Sequence, residues 1–315
     1  MTSVGLPARR PPETALSRAA AWIRNPWGRP RFLAAATWLY LAWALLPVLA
    51  AILFSFNDGR SRSVWQGFSI RWWWGDPTFS VFHDPTLTHA LTHSLELAVL
   101  DMAIATPLGV ILALGLARWR GRGSGTANFL MLVPLVTPEL AMAVALLLVF
   151  TQLSIVPFAL VNLGTTAQVI GQVTFSLSYV VVIVRSRLAS IGPEYEEAAR
   201  DLGASPRQAL RTVLVPLLFP AILASMLICF ALSIDDFVVT QYMSSDAGTT
   251  TIPMYLYANA RGGSTTPAIN ALATILVLVT LIGVGAAFAI LRSFGRRTEA
   301  RDTTEAVSGL AALEA

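Results

Sequence analysis

Long apolar stretches are the feature of this sequence that most restricts its fold. Hydrophobic residues make up 55% of the 315 residues and charged residues 13%, which is not the balance of a water-soluble globule. An apolar stretch of about 18 residues or more is long enough to cross a bilayer as a helix. Six such stretches are found, at residues 32–54, 93–116, 129–150, 167–184, 217–239 and 269–291. The sequence therefore predicts an all-α polytopic membrane protein with six transmembrane helices.

The basic residues predict how these helices are oriented. All 22 are arginines, and the predicted outer segments contain only four of them, Arg60, Arg62, Arg71 and Arg261. Since basic residues are retained on the cytoplasmic side, both termini are expected there. Residues 1–31 then form a basic cytoplasmic leader, 32–291 the transmembrane domain and 292–315 a disordered cytoplasmic tail. Without lysine the chain has no Walker A loop, and we expect it to bind no ATP, Mg²⁺ or other cofactor by itself.

A charged stretch at residues 190–216 separates the fourth and fifth apolar stretches. Pro193 suits the start of a helix, and acidic residues follow it at the positive end of the helix dipole. Gly203 suits a left-handed helix stop, and Ser205 suits the cap of a second helix that contains Arg207. The sequence predicts a folded elbow of two short helices, on the same side of the membrane as the termini and facing a soluble partner.

The elbow resembles the cytoplasmic coupling loop of ABC importer permeases, whose pattern is Glu-Ala-Ala, three residues, Gly, nine residues and Ile-x-Leu-Pro. The matching residues are Glu197, Ala198, Ala199, Gly203, Val213, Val215 and Pro216. Valine replaces isoleucine and leucine, which keeps the apolar character. The resemblance implies the type I importer permease fold. It also implies that Glu197, Ala198, Ala199, Gly203, Arg207 and Pro216 couple the chain to an ATPase.

Carboxylates within the predicted spans require a physical reason, because an acid at a span centre costs about 2.5–3.5 kcal/mol. The five are Glu96, Asp101, Glu139, Asp235 and Asp236, and no basic residue lies in those spans to pair with them. Such groups should face a wet cavity, a hydroxyl-rich surface or a cationic ligand. Asp235 and Asp236 are adjacent and point in different directions on a helix, so one is expected to face a passage and the other to cap or brace a neighbour.

The predicted fourth span has a polar stripe along one face, at Gln168, Gln172, Ser176 and Tyr179. Such a stripe either lines a passage or joins helices to one another, and both interpretations stay open. Together with the carboxylates, it gives a candidate substrate path. Its residues are Asp235, Asp236, Glu139, Gln172, Ser176 and Tyr179.

Residues 90–291 resemble the permease core of the spermidine/putrescine type, and in particular its second permease subunit. The resemblance rests on the elbow, on the Ser-Ile-Asp-Asp-Phe-Val-Val stretch at 233–239 and on Asn-Ala-Leu-Ala-Thr-Ile-Leu at 270–276. It implies half of a translocation path for a small cationic solute in a bacterial inner membrane. Its implied partners are a second permease, two ATP-binding subunits and an extracytoplasmic binding protein, with no nucleic acid. Iron, thiamine and opine transporters have related sequences.

A proton-driven secondary transporter and an enzyme are the two alternatives to this interpretation. A proton-driven secondary transporter would use the membrane carboxylates but leaves the elbow without a role.

In the outer segment 55–92, tryptophans favour a membrane-interface belt over a docking surface. His83, His89 and His93 also fall there or at its edge, and we expect interfacial residues rather than a metal site. No motif of a catalytic site is present, so we expect no enzyme activity in this chain.

Overall fold

The computed structural model describes residues 31–61, 64–153, 162–262 and 267–313, so residues 1–30 of the predicted leader lie outside it. The described chain is helical, with one isolated antiparallel bridge between Asn57 and Phe68. It divides into two units. The first ends at Leu53 and contains nearly all of the first helix; the second, from Phe54 onward, contains the features that follow.

Eleven α-helices are assigned within the described residues. In chain order they are α1 (Arg31–Phe54), α2 (Pro85–Arg118), α3 (Ser124–Val136), α4 (Glu139–Leu153), α5 (Thr165–Ile191), α6 (Glu194–Asp201), α7 (Pro206–Ala209), α8 (Val215–Asp235), α9 (Val238–Met243), α10 (Ile252–Gly262) and α11 (Ala268–Leu313). By length and composition, the described helices provide five membrane spans, or six if the bent pair α3–α4 is one span. The predicted all-helical membrane fold is confirmed.

The predicted span at 129–150 is not one straight helix. α3 and α4 meet there at a bend of 110°. Thr137, between them, has an extended backbone (ψ 131°), because the ring of the following Pro138 excludes the helical conformation from the residue before it. The bend places Glu139 at the first position of α4 rather than in the middle of a span.

Two predicted helix ends also differ from the structure. The fifth span was expected to reach residue 239, but α8 ends at Asp235, and Asp236 is extended (ψ 119°). The tail 292–315 was expected to be disordered, whereas α11 continues to Leu313. Residues 292–313 contain several alanines, arginines, glutamates and leucines and no proline, so no residue there forces the helix to stop.

Helices α2, α5 and α8 pack together as the centre of the second unit. Their buried apolar cluster includes Val180, Val184, Leu218 and Cys229. A Cβ atom on Gly109 of α2 would lie 2.5 Å from the Cβ atom of Val180 on α5. The glycine therefore permits the close backbone approach that small residues provide between membrane helices.

The elbow has the predicted geometry. Gly203 is left-handed (φ +86°), and it ends α6 in a Schellman motif, in which Gly203 N donates to Arg200 O and Ala204 N donates to Ala199 O. The Ser205 hydroxyl accepts from Gln208 N at 3.3 Å and caps α7. A π-helical turn at Leu210–Leu214 then leads into α8, just before Pro216. The wider turn fits the missing N–H and bulky ring of that proline.

The outer segment is more ordered than an interfacial belt alone would require. A π-helical turn at Arg71–Gly75 buries Trp72, whose indole N–H donates to Asn57 O at 2.6 Å. Arg71 donates two hydrogen bonds to Asp76 Oδ2, at 2.8 and 3.0 Å. Trp74 and Phe68 remain largely exposed. Part of this aromatic group therefore holds the segment together, and part is available to a lipid or protein surface.

Candidate functional site

A cavity of about 400 Å³ lies where α4, α5 and α8 meet. All six residues of the predicted path are among those that line it: Glu139, Gln172, Ser176, Tyr179, Asp235 and Asp236. The sequence could not show that these three segments meet. In the structure the start of α4, the polar face of α5 and the end of α8 line one cavity.

Asp235 and Asp236 have different environments, although both line the cavity. Asp236 accepts from Val239 N (3.1 Å) and Thr240 N (3.0 Å), so it caps α9, and its Oδ2 also accepts from Gln172 Nε2 (3.1 Å). Asp235 is exposed. Asp236 therefore braces a neighbouring helix, as the adjacent positions predict, and Asp235 is an exposed residue of the cavity lining.

Glu139 adds a third carboxylate to the cavity wall that Asp235 and Asp236 also line. Carboxylates that share one small cavity repel one another unless a proton or a cation lies between them. No basic side chain is found among the described residues that line the cavity. The cavity is therefore suited to a positively charged ligand and unsuited to an anion.

The polar stripe of α5 joins helices and lines the cavity at the same time. Gln172 accepts a hydrogen bond from Ser233 Oγ (2.7 Å) and donates to Asp236, which connects α5 to the end of α8. Gln168 is fully buried, outside the cavity lining, and donates to Thr240 O (3.1 Å) and Thr249 O (2.8 Å). The stripe therefore joins helices at Gln168 and lines the cavity from Gln172 onward, and a passage along it stays a prediction.

Asp101 is a buried acid that sequence reasoning did not assign to the path. It lies on α2 with no exposed surface, and its Oδ2 accepts from Ser176 Oγ at 2.8 Å, while Oδ1 has no hydrogen-bond partner among the described residues. Ser176 therefore lies between the cavity and the buried Asp101 carboxylate. The two positions are 75 residues apart in sequence, which explains why no sequence pattern indicates this contact.

The elbow presents the predicted coupling residues at its surface. Glu197, Ala198 and Arg207 are exposed, whereas Ala199 is half-buried. Leu202, which the motif does not include, is 90% exposed at the end of α6.

An ion pair that the motif does not indicate joins the elbow to the spans. Arg118 Nη2, on the last residue of α2, lies 2.8 Å from Glu196 Oε2 on α6. Glu196 immediately precedes the motif residue Glu197. The missed signal was the terminal arginine of the second span, because a basic residue at that position can reach an acidic loop.

The histidines are not grouped as metal ligands in the described part of the chain. His93 is buried, and its Nε2 lies 2.9 Å from Gln168 Oε1. Because both hydrogens of the Gln168 amide go to backbone carbonyls, the Oε1 atom accepts and the His93 Nε2 atom donates. This histidine therefore joins α2 to α5.

Comparison with known proteins shows the family of the chain. Residues 105–300 match the family described as binding-protein-dependent transport system inner membrane component. The putrescine transport system permease protein PotI of Escherichia coli (strain K12) is 34% identical over 277 residues, which are 87% of this chain and 94% of the relative. The spermidine/putrescine transport system permease protein PotC of the same strain is 35% identical over 251 residues, 80% of this chain and 90% of the relative.

Solved structures resemble the fold. A bacterial ABC transporter involved in the import of the acidic polysaccharide alginate aligns with a TM-score of 0.63 and 16% identity, over 87% of this chain and 98% of that one. A second crystal structure of an alginate transporter, with a periplasmic protein bound, gives the same TM-score. These matches establish the architecture and not the substrate. On the family match and the two permease relatives, this chain belongs to the binding-protein-dependent transport system inner membrane component family.

Proposed function

We propose that this permease subunit forms half of the translocation path for a small cationic solute such as putrescine or spermidine. The observation that carries the proposal is the convergence of Glu139, Asp235 and Asp236 on one cavity that no described basic side chain lines. Protonated amines supply the charge and the hydrogen-bond donors that these carboxylates lack. The names of the two permease relatives agree with this substrate class.

We also propose that the elbow receives the motion of an ATP-hydrolysing partner. The exposed Glu197 and Leu202 supply a charged and an apolar contact on one short helix, and the Schellman motif at Gly203 fixes the angle between α6 and α7. In this scheme the elbow and both termini are cytoplasmic, in accord with the positions of the arginines. The complete transporter then contains a second permease, two ATP-binding subunits that bind ATP and Mg²⁺, and an external binding protein.

This scheme assigns a role to each part of the chain. Residues 32–291 are the permease domain, 190–216 its coupling loop, 1–31 a cytoplasmic leader and 292–315 a cytoplasmic tail. The alternative of a proton-driven transporter accounts for the carboxylates, but it gives the exposed Leu202 and the folded elbow no partner. We therefore favour the ATP-driven importer.

Co-purification tests the coupling part of the proposal. The tagged chain, extracted from native membranes, is expected to retain an ATP-hydrolysing subunit, and substitution of Glu197→Arg together with Leu202→Asp is expected to release it. Glu194→Gln, at the start of the same helix and outside the motif, serves as the matched control. A chain that purifies alone, or that keeps the ATPase in every variant, contradicts the proposal.

A further inference from the structure

A second cavity, of about 510 Å³, lies at the elbow end of the helices. Arg118 and Arg120 line it from the end of α2 and the loop after it, Arg185 and Leu188 from the last part of α5, and Leu214 from the turn before α8. It is separate from the carboxylate cavity, and the scheme above gives it no role. Its combination of three guanidinium groups and an apolar wall requires an explanation.

The charge in this second cavity is incompletely balanced. Among the described residues that line it, Glu196 is the one acid, and it pairs with Arg118 at 2.8 Å. Arg185 donates to the neutral side chain of Asn128, and exposed Arg120 has no hydrogen bond or ion pair within the described residues. Two positive charges therefore face the cavity without a counterion from the described chain.

The position of the cavity indicates where a counterion would come from. Arg118 is the last residue of the membrane-length helix α2, and Arg185 and Leu188 precede Ile191, the last residue of membrane-length α5. The cavity therefore lies at a membrane boundary. Basic pockets between helices at this depth suit lipid headgroups, and guanidinium groups bind phosphate oxygens through paired hydrogen bonds.

We propose that this cavity binds the phosphate headgroup of an anionic phospholipid, with Arg120 and Arg185 as the phosphate ligands. Leu188, Ala189 and Leu214 contact the apolar part of the lipid below the headgroup. Because Pro193 and Glu196 of the elbow also line the cavity, the bound lipid lies between the spans and the elbow. The lipid is then a structural part of the contact between the spans and the elbow, where the elbow moves relative to the spans.

Native mass spectrometry of the complete transporter tests this proposal. The complex is purified in detergent, supplied with phosphatidylglycerol or phosphatidylcholine, and the retained lipid is counted. We expect phosphatidylglycerol to be retained and the Arg120→Gln variant to reduce its retention about fivefold, the usual effect of one basic residue near an anionic lipid surface. Arg122→Gln is the matched control, because Arg122 lies in the same loop and outside the cavity lining. It is expected to match the wild type.

A second arm separates the lipid from free phosphate. Excess inorganic phosphate is expected to leave lipid retention unchanged, because it lacks the apolar part that contacts Leu188 and Leu214. Displacement of the lipid by inorganic phosphate, equal retention of the two lipids, or equal loss in the Arg120→Gln and Arg122→Gln variants contradicts the proposal. Absence of retained phosphatidylglycerol in every sample also contradicts it. Arg185→Gln, measured in parallel, gives an independent test should Arg120→Gln fail to assemble.

Discussion

Arg118 and Glu196 form an ion pair of 2.8 Å that joins the end of α2 to the first helix of the elbow. Their side chains are 47% and 23% exposed, so the pair is partly screened and worth about 1 kcal/mol or less. The pair contributes little to stability, and it matters because of the two elements that it connects. α2 also carries Asp101, which bonds to Ser176 in the wall of the carboxylate cavity. One helix therefore connects the elbow with that cavity.

Reversing the charges of this pair is expected to weaken coupling. Arg118→Glu or Glu196→Arg alone places like charges together and should lower the solute transported per ATP hydrolysed several-fold. The double reversal restores the attraction and should recover most of the loss. The measurement is the uptake-to-hydrolysis ratio in proteoliposomes, with Arg122→Glu as the control for charge at this surface. If the fold-loss in the uptake-to-hydrolysis ratio of the double variant equals the product of the two single fold-losses, the two residues act independently. That result would show that the pair does not transmit the motion.

Gly203 is expected to tolerate asparagine and not valine. Its φ of +86° is left-handed, and an added Cβ atom would meet no atom within 4 Å, so any penalty is backbone strain alone. That strain is about 1–2 kcal/mol for an ordinary residue, more for a β-branched one and less for asparagine. Coupled uptake should therefore fall in the order glycine, asparagine, alanine, valine. Equal uptake by the asparagine and valine variants would contradict a requirement for this backbone conformation.

Replacing Asp236 by alanine is expected to lower the stability of the protein, whereas replacing Asp235 is not. Asp236→Ala removes the cap of α9, worth about 0.5–2 kcal/mol, and leaves the Gln172 amide without its carboxylate partner. Asp235→Ala removes an exposed side chain. The melting temperatures of the two purified variants should therefore differ, with Asp236→Ala the lower. Equal melting temperatures would mean that the cap contributes little.

Asp76 gives the outer segment an acid-sensitive contact. Hydrogen bonds from the backbone N–H groups of Thr78 and Phe79, and then the Arg71 guanidinium, hold the pKa of this carboxyl below its usual value of 3.8. A lowered pKa contributes stability above the unfolded value, and that stability is lost as pH falls through the folded value. The melting temperature of the wild type should exceed that of Asp76→Asn at pH 6. The difference should shrink below about pH 4; a constant difference down to pH 3 would exclude this contribution.

The sequence predicted the helical class, the elbow and its caps because these depend on local signals. The length of apolar runs, a glycine after a charged helix and a serine before Pro206 act within a few residues. The length of the apolar run predicted a third span at 129–150, but it could not predict the 110° bend within it, because Pro138 alone does not set the angle between α3 and α4. The sequence also could not show that Glu139 and Asp236 line one cavity or that Ser176 contacts Asp101, since both depend on how the helices pack.

The central claim, that the carboxylates of one cavity conduct a cationic solute, is tested most directly by the concentration dependence of labelled diamine uptake. Asp235→Asn keeps the shape of a cavity-lining side chain and removes its charge. Glu96→Gln makes the same change at a 61% exposed acid of α2 that does not line the cavity. We predict a loss of about tenfold or more in uptake efficiency for Asp235→Asn, as expected for one lost charge interaction of roughly 1.4 kcal/mol, and wild-type uptake for Glu96→Gln. Equal uptake by the wild type and both variants would contradict the claim.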